Sequence, residues 1–315
     1  MVSWKAPRGL PTTVVVVLEA EANTGPTIVT EVAAPTHLRI LQDDVPRLWA
    51  AGSPQAWGLC AFIQRPFEVL HPIVAAECRR IHEAHPDAAD WWTAWAFQFA
   101  EAISSTGPIG PGSWWLQRAE IGSPDSWVPN FERAGLSFVY VEHDAEQNSG
   151  SGLVEIQWGI SGTNAYLPMR SLDETDEGRL KAFRKLAREG LLPPVLLWWH
   201  SGLQCSVVLD GHVRFEAFRS AGVPIRALLL SSIRTHGDAD AVEQFRNARA
   251  AQFDRHIKDP VVKNRVLTDL YHEPMAIRFV SAAKPMPGGA AAWTLEVELE
   301  STAYARVATK WLGLD

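Results

Sequence analysis

Five consecutive residues carry the chemistry that is easiest to read in this chain: Asp210, Gly211, His212, Val213 and Arg214. A β-branched and apolar run, Ser206 to Leu209, leads into them, and a helical pattern, His212 to Ala221, leads out. Glycine at such a bend tolerates a tight turn and lets a ligand approach the backbone closely. The first turn of the helix leaves its N–H groups without partners inside the helix. Those amides, with the helix dipole behind them, favour an anion. Arg214 has the forked geometry that grips a phosphate or carboxylate. His212, at the mouth of the turn, could donate to an oxygen or move a proton, and Asp210 could cap some of the free amides. The same residue types also make ordinary turn-and-cap structure, so the anion site competes with a purely local reading.

The flanking elements hold this turn in place. Arg179 to Glu189 has helical spacing through Leu180, Phe183 and Leu186, and Gly190 suits its end. Pro193 to Trp199 reads as a strand, His200-Ser201-Gly202 as a hairpin tip, and Ser206 to Leu209 as the return strand. Gly222 closes the next helix, and Ile225 to Leu230 is a further strand.

This run, Tyr166 to Leu230, resembles the ParB/sulfiredoxin-like family. The resemblance rests on four features: the helix ending in Gly190, the Pro-bearing strand Pro194 to Trp198, the Gly-x-x-Arg turn Gly211-His212-Val213-Arg214, and Ala221-Gly-x-Pro224 before a strand. It implies a turn that cradles the phosphates of ATP or CTP, with Mg²⁺ to neutralise them. Asp210, Gly211, His212, Val213 and Arg214 would form that cradle. It also implies that an acid from the preceding loop could serve phosphoryl transfer; here that loop holds Asp173, Glu174, Asp176 and Glu177. Together with His212 these are the candidate catalytic residues. The same acids could equally be a solvated face or a helix-start charge cluster. His212 lies where sulfiredoxins carry their reactive cysteine, so cysteine-based reductase chemistry is not expected. Only one of the arginines of the chromosome-partition turn is present, and the acidic remainder of the chain argues against the DNA-binding helix-turn-helix domain that follows that turn in those proteins.

Bulk properties narrow the classes further. The 315-residue chain is 47% hydrophobic and 21% charged, ordinary for a globular protein. Its 14 tryptophans require a substantial core. Net charge is −7, yet Arg170 to Arg234 holds ten Lys or Arg against seven Asp or Glu. A small anion fits that segment better than duplex DNA, which demands a basic surface. Three cysteines without a CxxC pair do not make a disulfide framework or a zinc site. No secretion signal or membrane-length apolar run is read, so the expectation is a cytoplasmic protein.

Elsewhere, Thr12 to Ala20, Pro26 to Val32 and Thr36 to Gln42 read as strands, and Phe67 to Ala84 as a helix. Asp87 is the expected N-cap of a helix from Ala88 to Ser104, on which Trp92, Trp95 and Phe99 share one face and Trp91 lies beside them. A poorly periodic stretch carries Trp114, Trp115 and Trp127, and Leu136 to Glu142 and Leu153 to Ile160 read as strands. Asp238 to Leu270 reads as mostly helical, Met275 to Ala282 and Ala292 to Leu299 as a hairpin, and 301 to 312 as a closing helix. His82 and His85, three apart, lack a third ligand, so no metal site is expected. His200 and His272 read as loop residues.

The expected fold class is α/β (α+β): a mixed sheet with a ParB/sulfiredoxin-like core, flanked by a Trp-rich region and a C-terminal helix-plus-hairpin. The expected segments are 1–165, 166–235 and 236–315. Two functions are expected in competition. One is a nucleotide- or phosphate-binding protein, by extension a phosphotransferase or nucleotide hydrolase acting on a small substrate. The other is a non-catalytic protein with a protein partner, such as an immunity-type protein that neutralises a toxin. Neither expectation includes a membrane.

Overall fold

A computed structural model describes residues 2–5, 14–21, 27–34, 37–53, 58–121, 139–141, 152–157, 165–170, 172–203, 205–235, 277–279 and 283–312, with seven single or paired positions between 247 and 267. Trp127, His272, the loop 142–151 and most of the expected helical stretch 238–270 lie outside the described residues.

The chain is a mixed α/β protein with two mixed sheets. In order, its strands are β1 (Val2–Lys5), β2 (Val14–Ala20), β3 (Ile28–Ala34), β4 (His37–Gln42), β5 (Val45–Ser53), β6 (Gly58–Ile63), β7 (Gly112–Ile121) and β8 (Val139–Val141). They continue with β9 (Gly152–Gln157), β10 (Ala165–Leu167), β11 (Val195–His200), β12 (Cys205–Asp210), β13 (Ile225–Thr235), β14 (Ile277–Phe279) and β15 (Lys284–Pro285). The helices are α1 (Ala75–Ala84), α2 (Ala88–Thr106), α3 (Glu177–Arg188), α4 (His212–Ala221), α5 (Gly289–Glu300) and α6 (Thr302–Leu312).

The first sheet runs β1-β2-β7-β13-β11-β12-β10, with β14 also on β13. β11 pairs parallel with β13, and β10 parallel with β12, while β7 runs antiparallel to β13 from Ile225↔Ile121 to Ile233↔Ser113. This sheet therefore joins strands from all three expected segments. The second sheet runs β15-β3-β4-β5-β6-β9-β8, antiparallel except where β15 meets β3. Its middle strands are apolar on both faces. Leu38, Ile40, Leu48, Ala50, Leu59 and Ala61 enter the large core that also holds the first sheet. Trp49, Ala51, Cys60 and Phe62 point the other way, onto Trp293 and Val297 of α5 and Tyr304 and Ala308 of α6.

Helix α2 lies over the first sheet with Trp91, Trp92, Trp95, Ala96, Phe99, Ala100 and Ile103 buried. Asp87 caps it as expected, accepting from the N–H groups of Ala89 and Asp90. The aromatic face is core packing: Trp91, Trp95 and Phe99 meet edge to face along the helix.

Several expectations are corrected. The helix expected from Phe67 begins only at Ala75, because Pro72 lacks an N–H and biases His71 toward extended backbone. The stretch holding Trp114 and Trp115 is strand β7 at the centre of the sheet. Both its faces are largely covered, which hides the alternation that marks a half-buried strand. The hairpin expected over 275–299 does not form: β14 pairs with β13, and 289–300 is helix α5. Trp293 and Val297, four apart, are the residues that this helix buries. His200 is no loop residue. It ends β11, is 1% exposed, and bridges the two sheets, its Nε2 lying 2.9 Å from Thr30 Oγ1. The Leu203 N–H donates to its Nδ1, so Nε2 carries the proton and donates to the threonine. Burial holds this imidazole down at about 3.

Candidate functional site: the turn at the start of α4

The order helix, strand, strand, helix, strand expected over 179–230 is present as α3, β11, β12, α4 and β13, and it is preceded by strand β10, which was not expected. Helix α4 starts at His212 and ends at Ala221, followed by Gly222 in the left-handed region. Its N-cap, Gly211, has φ 97° and ψ 29°. An L-residue is strained there, and a Cβ would also lie 2.8 Å from Arg214 Nη2. Glycine is required by both the turn and the guanidinium packed against it. Among the described residues, no side chain caps the N-terminus of α4.

The acidic loop and the turn come together because β10 pairs parallel with β12. The chain leaving β10 and the chain leaving β12 then emerge side by side. The Met169 N–H donates to His212 Nε2 at 2.9 Å. Arg170, one residue on, lies close enough to Asp210 and His212 to act on both through charge. Burial pushes the His212 imidazole down to about 4. Arg170 and Arg214 add to the drop, while Asp210 and Asp176 oppose it.

Arg214 lies inside the turn, already paired within the chain. It is 2% exposed, and its Nη2 donates to Asp210 Oδ2 at 2.6 Å. Its guanidinium lies over the ring of Phe99, 5.8 Å from the centroid. The pairing consumes the carboxylate that was expected to cap the helix. Arg214 Nε is buried and has no hydrogen-bond partner among the described residues. An orphaned donor in that position costs free energy unless something accepts from it.

Asp176 is also taken. It is 8% exposed and grips Arg170 through two hydrogen bonds, 2.5 and 2.9 Å. The Arg170 guanidinium holds the Asp176 carboxyl below the usual carboxylate range, against the opposing effect of its own burial. Asp173 caps the short 3₁₀ turn Glu174–Asp176, accepting from the Thr175 N–H at 2.8 Å. Glu174 and Glu177 are exposed. Val213 is buried and contributes its backbone only.

Sequence reasoning missed Met169, Arg170 and Phe99. Arg170 and Asp176 are six apart with an irregular loop between, a spacing with no fixed geometry. The contact of Met169 with His212 depends on strand pairing, which local spacing does not encode. The Asp210–Arg214 pair did carry a signal, an acid four residues before a base at a helix start.

No group of three or more His, Cys, Asp or Glu that could hold a metal occurs among the described residues, His82 and His85 included. No helix among them is long and apolar enough to cross a membrane. No family model, no curated protein and no solved structure matches the chain.

Proposed function

We propose that the protein binds the phosphate groups of a nucleotide, ATP or CTP with Mg²⁺, at the N-terminus of α4, in the manner its resemblance to the ParB/sulfiredoxin-like family implies. One observation carries the reading: helix amides that no side chain caps lie behind a left-handed glycine, itself buried, against a buried guanidinium whose Nε lacks an acceptor among the described residues. Arg214 would act from beneath, shaping the turn and lending its charge, while Arg170 and His212 line the mouth. Mg²⁺ would be held mainly by the phosphates themselves, with the exposed acids of the loop at hand.

A phosphotransferase or nucleotide hydrolase acting on a small substrate is the catalytic extension of this reading. Asp176 is a poor base there because Arg170 already engages both of its oxygens. That leaves Asp173, Glu174 and Glu177, all exposed. The test is calorimetry and thermal shift with ATP, CTP and inorganic phosphate, each with and without Mg²⁺. Saturable binding with a raised Tm is the expected result, and no response to any of them removes the proposal.

A second reading is favoured by a different observation: each arginine of the site has a carboxylate partner within the chain, Arg214 with Asp210 and Arg170 with Asp176. Such internal pairing suits a protein that keeps the fold but binds another protein, such as a toxin. A stoichiometric partner in a pull-down, together with no thermal shift from nucleotides, would favour it over the first.

A further inference from the structure

We infer that His212 is a neutral hydrogen-bond donor to the anion at the α4 N-terminus, presenting Nδ1–H, with its tautomer fixed by the backbone of the neighbouring loop. The inference rests on the phosphate-binding reading above and assigns a specific atom to it.

Geometry fixes the tautomer. The Met169 N–H points at His212 Nε2 at 2.9 Å, so that nitrogen must offer a lone pair. A neutral imidazole carries its proton on the other nitrogen, here Nδ1. Protonation at Nε2 would set two N–H groups against each other, which disfavours the cation independently of any charge nearby. The helix N-terminus disfavours it further, since the positive end of the dipole lies at His212. The charged groups that face the ring are Arg170 and Asp176 from the loop side, and Asp210 and Arg214 from the turn; they form two ion pairs. The ring is thus surrounded by charges that balance, and burial decides in favour of the neutral form.

Nδ1 is the nitrogen left to act. Among the described residues it has no partner, and it is not among the buried atoms that lack one, so it keeps some access although most of the ring is buried. Arg214 Nε, packed against Gly211, lacks an acceptor among the described residues, as Arg47 Nε and Arg184 Nε do elsewhere, and an anion at this end of the helix would satisfy it. A neutral donor at this place strengthens binding of an anion without a second desolvated cation. It also keeps that ability across the physiological pH range, unlike an ordinary histidine.

Two measurements test this. Nitrogen-15 chemical shifts of the His212 ring in the ligand-free protein should show a protonated Nδ1 and a bare Nε2 that do not change from pH 8 to pH 5.5. An Nε2-protonated ring, or one that titrates near its ordinary value, overturns the inference. The second measurement is nucleotide affinity in variants. His212→Asn keeps an N–H donor near the position of Nδ1 and should bind within about threefold of wild type. His212→Phe keeps the ring shape and should lose about tenfold to a hundredfold, as for one hydrogen bond to a charged group. Wild-type binding with an unaffected His212→Phe overturns the donor role alone. Absence of wild-type binding overturns the phosphate reading and the donor role together, while the ring shifts still report the tautomer.

Discussion

Two charged clusters in this molecule have similar membership and opposite completeness. At the C-terminal helices, Glu31 of β3 is gripped by Arg39 of β4 and by Lys284 of β15, and Arg39 also holds Glu296 of α5. Trp49 Nε1 completes the set by donating to Glu296 at 3.3 Å. At the start of α4, Asp210–Arg214 and Arg170–Asp176 form two pairs, yet Arg214 Nε and the first amides of the helix have no side-chain acceptor among the described residues. The first cluster satisfies itself and clamps one layer onto another. The second leaves donors without acceptors among the described residues. Satisfied networks specify structure, whereas unsatisfied buried donors call for an explanation, a water or a bound ion among them.

The comparison can be broken most decisively at the clamp. Arg39→Met leaves Glu31 buried with Lys284 as its remaining partner and should cost about 3 kcal/mol, read from denaturant midpoints. Nucleotide affinity should not change; a parallel loss would mean that the two clusters are not independent. The turn is the next largest effect. Gly211→Ala strains a φ of 97° and drives a methyl group into the Arg214 guanidinium. It should cost about 2 kcal/mol and abolish nucleotide binding in a protein that still folds.

The third prediction concerns acid. His200 is held neutral in the fold at about 3, against an ordinary value of 6.5. The unfolded chain takes up its proton first as the pH falls. Stability should therefore be complete above about pH 6.5 and decline below it, by about 1.4 kcal/mol for each pH unit from this histidine alone. His212, held down at about 4, adds to the same decline over a shorter range. His200→Gln should be less stable at pH 8 but show a flatter acid limb in thermal melts across pH 4 to 7. An unchanged slope would place the proton elsewhere. The smallest effect sharpens the contrast from outside both clusters. Leu299 on α5 is 77% exposed, and Leu299→Ser should alter stability by less than about 0.5 kcal/mol.

Local signals carried the sequence reading furthest. Asp87 and its helix, the bounds of α4 with Gly211 and Gly222, and the faces of Trp92, Trp95 and Phe99 were legible because each depends on residues within a turn or two. Strands β5 and β6 were not legible. Residues 48–51 of the first and all of Gly58–Ile63 are buried on both faces, so they lack the alternation by which a half-covered strand is recognised. The site was legible as a turn, through the glycine and the helix start behind it. Its wiring was not, because Met169 reaches His212 through strand pairing and Phe99 reaches Arg214 through packing between helices.

Strand β15 has one more consequence. Lys284 and Pro285 lie along Glu31 and Val32, so the edge of β3 waits for a piece of chain made some 250 residues later. On a ribosome, that edge and the apolar rings of Trp49 and Phe62 stay open while most of the polypeptide is still being synthesised. Such long delays slow folding and expose the nascent protein to sticking. Chaperone dependence during synthesis should therefore fall on the second sheet, and a chain truncated before Lys284 should associate through it.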